Sequence, residues 1–142
     1  MKLVDANILV FAVNADAREH PRAKAWIEAA LSGIEPIAFA WSAMLGFLRL
    51  TTRSGLLAKP LRPAKAFDLL EAWLATASAR IVHPGENHLS ILRQLLEHAG
   101  TAANLTTDAH LAALAIEHGA ELVSFDRDFA RFDGLRPMIL TV

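Results

Sequence analysis

Four aspartates stand where the sequence could do chemistry. Asp5 closes the short apolar run KLVD (residues 2–5), Asp126 follows the apolar run ELVSF (121–125), Asp128 lies two residues further on, and Asp108 falls in the first turn of the helical segment DAHLAALAIEHGA. If the two runs are parallel strands, Asp5 and Asp126 emerge on one rim, and Asp108 joins them if its helix starts from a loop on that side. Crowded carboxylates repel one another, and a divalent cation relieves the repulsion. All-oxygen donors without thiolate select Mg²⁺ or Mn²⁺. Such an ion suits phosphodiester cleavage, because it lowers the pKa of a water and neutralises charge on phosphoryl oxygens. Each acid also has an ordinary reading as a helix cap or a strand-end turn; three on one rim is what favours the metal. Asn7, Asn104, Thr107 and Ser124 lie beside these acids in sequence and are candidates to orient them or their waters, or are simply turn formers.

The rim exists only if the flanking segments form the right elements. After residues 2–5, the apolar stretch ILVFAV predicts a short helix. Pro21 to Gly33 predicts a helix with Pro at its start and Gly at its stop. Residues 36–41 (PIAFAW) predict a strand, after which Ser42 is expected to cap a helix that ends before Gly55. The segment GLLAKPLRP is turn-rich. Helix is expected from Pro63 to about Ser78, strand over 80–83, helix over about 87–99, then a helix capped by Thr106 or Thr107 and stopped at Gly119. Residues 121–125 form the next strand, and PMILTV closes the sheet. Strands separated by helices, with no hairpin signal between them, imply an α/β fold: a mainly parallel sheet flanked by helices. Ligands bind such sheets at the carboxyl ends of the strands.

A chain of 142 residues predicts a single domain spanning 1–142. Hydrophobic residues make up 54% and charged residues 20%, enough for an ample interior with apolar surface to spare for self-association or a partner. Asp5 interrupts the N-terminal apolar stretch, which is unlike a signal peptide, and no apolar run is long enough for a membrane span, so a cytoplasmic protein is expected. The lack of cysteine excludes thiolate chemistry and fits a reducing compartment. The net charge of −1 does not decide for or against nucleic acid, which needs local positive charge. Arg49, Arg53, Lys59, Arg62, Arg127 and Arg131 are scattered candidates for backbone contacts, and Arg49, Arg53 and Arg127 are the ones assigned to RNA. The six histidines form no zinc-like pair on one helical face, and the tryptophans and phenylalanines occupy apolar faces as core residues.

The segments VDANILVFA, WSAMLGFLRLTTR and NLTTDAHLAALAIEHGAELVSFDRDFARF, in that order, resemble the VapC branch of the PIN-domain family along nearly the whole chain. The resemblance implies a parallel-sheet nuclease fold, dependence on Mg²⁺ or Mn²⁺, and endonucleolytic cleavage of RNA, often transfer or ribosomal RNA. It also implies a homodimer and inhibition by a cognate DNA-binding antitoxin. By position, Asp5, Asp108 and Asp126 correspond to the family's metal-binding acids, with Asp128 a supplement. One departure stands out: many members carry a glutamate where this chain has Gly46, and no acid occurs between Ser42 and Arg53. A weakened module that binds RNA or antitoxin without cutting is therefore the main alternative. A phosphatase of the haloacid dehalogenase type is a weaker one, since such enzymes place a second aspartate where Asn7 stands.

Overall fold

A computed structural model describes residues 1–142. In chain order the elements are β1 (Lys2–Val4), α1 (Ala6–Val13), α2 (His20–Ser32), β2 (Ile37–Ala40), α3 (Trp41–Thr52), α4 (Pro63–Leu74), β3 (Ala79–Val82), α5 (His88–Ala99), α6 (Thr106–Glu117), β4 (Glu121–Ser124) and β5 (Pro137–Ile139), with short 3-10 turns at Ala103–Leu105 and Arg127–Arg131. The strands form one sheet in the order β3-β2-β1-β4-β5, and every pairing is parallel. The expected α/β architecture, a parallel sheet flanked by helices, is what the chain adopts.

The order of the strands decides where a ligand can sit. From β1 the chain winds outward through β2 and β3, then returns to place β4 on the other side of β1 and β5 beyond it. The direction of winding reverses between β1 and β4, and a crevice opens at the carboxyl ends of strands flanking such a reversal. Val4 pairs with Phe39 on one side and Val123 on the other. Asp5, Trp41 and the Ser124–Asp126 segment consequently leave the sheet at the same edge.

Alternation along the strands builds a core on each face. Leu3, Ala38, Ala40 and Leu122 face a cluster completed by Leu95 of α5, Leu111 and Leu114 of α6, and Phe129 and Phe132. Val4, Ile37 and Phe39 face the opposite way, against Leu9, Val10, Ile27, Met44, Phe47 and Leu70 from α1 to α4. The α6 sequence TDAHLAALAIE buries Ala109, Ala112, Ala113 and Ala115; these small side chains let the helix lie close to the sheet. No helix is long and apolar enough to cross a membrane.

Two expected caps are absent. Ser42 is inside α3, whose N-cap is Ala40 with no side-chain cap bond, because β2 runs into the helix without a loop. Neither Thr106 nor Thr107 caps α6: the turn Ala103–Leu105 leads straight into it, and Leu105 takes the cap position. The stop of α6 is as expected, with Gly119 at φ +64, a left-handed conformation that glycine adopts without steric penalty. The final strand is shorter than PMILTV, ending at Ile139.

The close seat of α6 can be tested. Ala112 is fully buried, so Ala112→Leu should overpack the helix–sheet contact and destabilise by about 1–3 kcal/mol in denaturant titration. The same change at exposed Ala64 of α4 should stay within about 0.5 kcal/mol.

Candidate metal centre

Asp5 is the N-cap of α1, held extended at φ −76 and ψ 155 with its side chain turned back over the first helical turn. Its Oδ1 accepts the Ala6 N–H at 2.7 Å and its Oδ2 accepts the Ser124 hydroxyl at 2.7 Å. The Ser124 Oγ in turn accepts from Asn7 Nδ2 at 3.0 Å and from the Asp126 N–H at 2.9 Å. One buried hydroxyl thus ties β4 to the end of β1, with its donor and both lone pairs in use. Asp126 Oδ1 accepts the Asp128 N–H at 2.9 Å, so Asp126 caps the 3-10 turn as well as marking the rim.

Burial raises the pKa of Asp5 to about 6, against the downward pull of the bonds from Ser124 and Ala6; the charges of Asp108 and Asp126 push it further up. Burial also raises Asp108, helped by the charges of Asp126 and Asp128 and opposed by Arg131. Asp5 therefore lies in the fields of Asp108 and Asp126, and Asp108 in those of Asp126 and Asp128, so that Asp5 and Asp108 each resist ionisation. The positive ends of α1 and α6 offset part of that cost, since Asp5 and Asp108 occupy the cap and first turn of those helices.

Asp5 and Asp108 share a cavity of about 170 Å³ whose walls include Ser42, Gly46 and Arg49 of α3 and Thr107 of α6. A larger cavity of about 380 Å³, lined by Lys2, Trp26 and Ile34 among others, lies at the amino ends of the strands and brings no set of acids together. The carboxylates do not form a ready-made chelate, for no three Asp, Glu or His side chains converge closely enough to hold an ion by themselves. The donor set suits a cation that keeps much of its water. Mg²⁺ is commonly held by one or two carboxylates with water completing the octahedron, and the cavity's volume corresponds to roughly five waters at bulk density.

The other residues singled out from the sequence divide. Ser124 bonds Asp5 and Asn7 bonds Ser124, Thr107 and Arg49 line the cavity, and Asp126 and Asp128 lie outside its lining, acting on the two acids through their charge. Asn104 is exposed on its 3-10 turn, hydrogen-bonded to none of the acids. Arg53 is exposed at the end of α3. Arg127 lines a different depression, with Arg18, Glu19 and Thr141. Arg131, one of the scattered backbone-contact candidates, is the cation whose charge reaches Asp108. His110 hydrogen-bonds through Nδ1 with His88 Nε2 at 2.9 Å, turned toward α5 and not into the acid cavity.

Gly46 is buried where α3 crosses α1, and a Cβ there would meet the Ala6 Cβ at 3.3 Å. The position both faces the acid cavity and lets two helices approach closely.

Acids gathered at the reversal point of a parallel sheet place the chain in a known class of proteins: it belongs to the PIN-domain family, whose model matches residues 2–135. Within that family it falls in the VapC branch. It is 48% identical over 136 residues to Ribonuclease VapC37 of Mycobacterium tuberculosis, covering 96% of this chain and 94% of that protein. Among solved structures it is similar in fold to VapBC2 from Rickettsia felis bound to a DNA fragment from their promoter, with a TM-score of 0.73 at 18% identity over 99% of this chain and 98% of that one. It is also similar in fold to VapC20 of Mycobacterium tuberculosis, described as a Sarcin-Ricin loop cleaving toxin, with a TM-score of 0.66 at 19% identity over 96% and 100% of the two chains.

Two predictions follow from the electrostatics and the packing. Because the Asp5 pKa rises from 3.8 to about 6 on folding, the native state binds more protons than the unfolded one between those values. Stability should therefore fall as pH rises through that window and remain reduced above it. In chelator-containing buffer, Asp5→Asn, which preserves the cap, should be more stable than the parent at pH 7.5 by on the order of 2 kcal/mol. The advantage should disappear below about pH 4; thermal melts across pH check this. For Gly46→Glu, a new carboxylate beside Asp5 and Asp108 should lower the melting temperature in chelator and shift the Mg²⁺ or Mn²⁺ midpoint of stabilisation to lower concentration. A folded variant with an unchanged midpoint would show that the cavity wall at this position does not contribute to cation binding.

Proposed function

We propose that this protein is an Mg²⁺- or Mn²⁺-dependent endoribonuclease, the toxin of a toxin–antitoxin pair, cleaving structured RNA such as transfer or ribosomal RNA. The observation that carries the reading is the Asp5 carboxylate, in one cavity with Asp108 and tied through the Ser124 hydroxyl to the backbone of Asp126, where burial first and the charges of Asp108 and Asp126 next disfavour its ionisation. Such a group is costly to leave uncompensated and is well suited to a hard cation. Asp5 and Asp108 would hold the ion, with Asp126 and Asp128 at the rim. When bound, the ion supplies a water of lowered pKa and screens charge on the phosphoryl oxygens.

The chain's own residues do the rest. Ser124 fixes the direction of the Asp5 carboxylate, and Asn7 fixes Ser124. Arg49, on the cavity wall, supplies positive charge for the RNA backbone. No cysteine is present, and the hydrogen-bonded histidine pair lies on the α5 side, so hydrolysis by water accounts for the site better than a covalent enzyme intermediate. The phosphatase reading loses its support: Asn7 is engaged with Ser124 and Phe125 and is not a free acid.

The partners fit the same reading. A cognate antitoxin would inhibit this chain by laying an arginine across the carboxylates in place of the cation. Trp41 and Leu45, one turn apart on α3 and both exposed, offer apolar area for a homodimer. A cytoplasmic location accords with an RNA substrate. The rival reading, a module that binds RNA or an antitoxin without cutting, is favoured by Gly46, which lines the cavity without contributing an acid from α3.

Purified protein incubated with structured RNA separates the two. EDTA should abolish cleavage and Mg²⁺ or Mn²⁺ restore it, while Asp5→Asn and Asp108→Asn should each lower the rate by roughly 100-fold or more. Cleavage undiminished in excess chelator would overturn the metal mechanism. RNA bound but never cut, at any metal concentration, would establish the binding module.

A further inference from the structure

The carboxyl edge of the sheet carries a second depression, separate from the acid cavity. It measures about 270 Å³ and is walled by Arg18 and Glu19 from the connection between α1 and α2, by Phe125 and Arg127 on either side of Asp126, and by Leu140 after β5. Strand register fixes its place. Val4, Val123 and Met138 are level across β1, β4 and β5, and the Leu140 N–H donates to the Ser124 carbonyl at 2.8 Å. Asp5 and Leu140 therefore stand two strand spacings apart along one edge, roughly 10 Å.

The walls are held from below. Leu140 is buried with Ile8 and Val123, and Phe125 packs against that cluster and meets the Phe11 ring edge-on at 5.4 Å. The backbone of Arg127 thus runs between Phe125 and the buried Phe129. Arg18 sits on two successive turns, closed by Ala17 N–H to the Asn14 carbonyl at 3.0 Å and His20 N–H to the Ala17 carbonyl at 3.1 Å. Two guanidinium groups against one carboxylate leave the depression positive, and Glu19 makes no ion pair with either arginine. The N-terminus of α2 adds to that sign, because Glu19 is its N-cap without a side-chain cap bond. Paired guanidinium groups on a polar wall suit the oxygens of a phosphate.

We infer that this depression is a second substrate subsite, in which Arg18 and Arg127 together grip one RNA phosphate within about three nucleotides, at roughly 3.4 Å each in a stacked strand, of the phosphodiester at the acids. The assignment rests on the ribonuclease reading and adds to it the path of the strand, which runs from the acid cavity across the end of β4 toward β5. A phosphate contact carries no sequence information. The subsite therefore sets how firmly and in what register the RNA is held, not which bases are chosen.

The test separates binding from cleavage. In an Asp5→Asn background, which should not cut, binding of a fluorescent single-stranded RNA is followed by anisotropy from low to high salt. Both arginines are exposed, so Arg18→Ala and Arg127→Ala should leave the melting temperature unchanged while each weakens binding about 5- to 10-fold. The double variant should lose little more than either single one, with the slope of log affinity against log salt reduced by about 0.7, the value for one phosphate on a single strand. Glu19→Gln should tighten binding by removing the one anion on the wall. Arg93→Ala, on α5, should change nothing. In the cutting protein, Arg127→Ala should raise KM more than it lowers kcat, and shortening the RNA stepwise from one end should abolish that sensitivity before it abolishes cleavage. Unchanged affinity and slope in the double variant overturns the subsite. So does a slope reduced by about 1.4, which marks two separate phosphate contacts, or an equal loss in Arg93→Ala, which marks a diffuse charge effect. Failure of the Asp5→Asn protein to bind RNA at all would instead remove the ribonuclease reading and this inference with it.

Discussion

The Ser124 hydroxyl is the joint on which the site turns. It donates to the Asp5 carboxylate and accepts from Asn7 and from the backbone of Asp126, so the acid after β1 and the acid after β4 are set by one buried atom. That atom can serve both only because β1 and β4 are parallel neighbours in register, bringing their carboxyl ends level. Antiparallel pairing, or a one-residue slip, would send Ser124 to the other end or the other face of the sheet.

The cost of the arrangement is electrostatic. Two partly buried carboxylates lie in the fields of two more, and the pKa values of Asp5 and Asp108 both rise. The fold tolerates this because the clusters on both sides of the sheet and the helix N-termini at the rim supply stabilisation that does not involve the acids. On the proposed metal-dependent reading, a bound cation would gain affinity from the same strain, since it would relieve repulsion that folding has already imposed. Gly46 lines the same cavity without adding an acid, and it lets α3 approach Ala6 of α1 closely.

Sequence reasoning succeeded where a local pattern carries the physics. Alternating apolar runs and helical periodicity located the strands and helices, and the absence of hairpin signals implied the parallel sheet. The family resemblance was legible in the stretch from Asn104 to Phe132, where three of the four acids at issue, Asp108, Asp126 and Asp128, sit on recognisable elements. Caps were less legible. Ser42 and Thr106 look like helix starts because of their side chains, yet Ala40 and Leu105 take those positions, since the preceding strand and turn already deliver the chain in register and no side-chain cap is used.

By itself the sequence determined which residues are acidic, where they fall on strand ends and helix starts, and that no thiolate could replace them, because these depend on residue type and short-range periodicity. Only the tertiary structure decided which neighbours serve those acids. Asn7 and Ser124 are 117 residues apart and hydrogen-bonded, while Asn104, four residues from Asp108, makes no bond to any acid. Arg127 adjoins Asp126 in the chain but lines a separate depression with Arg18 and Glu19. Sequence proximity constrains only the backbone path. Which side chains meet across a cavity is fixed by strand register and by the faces that helices and turns must bury.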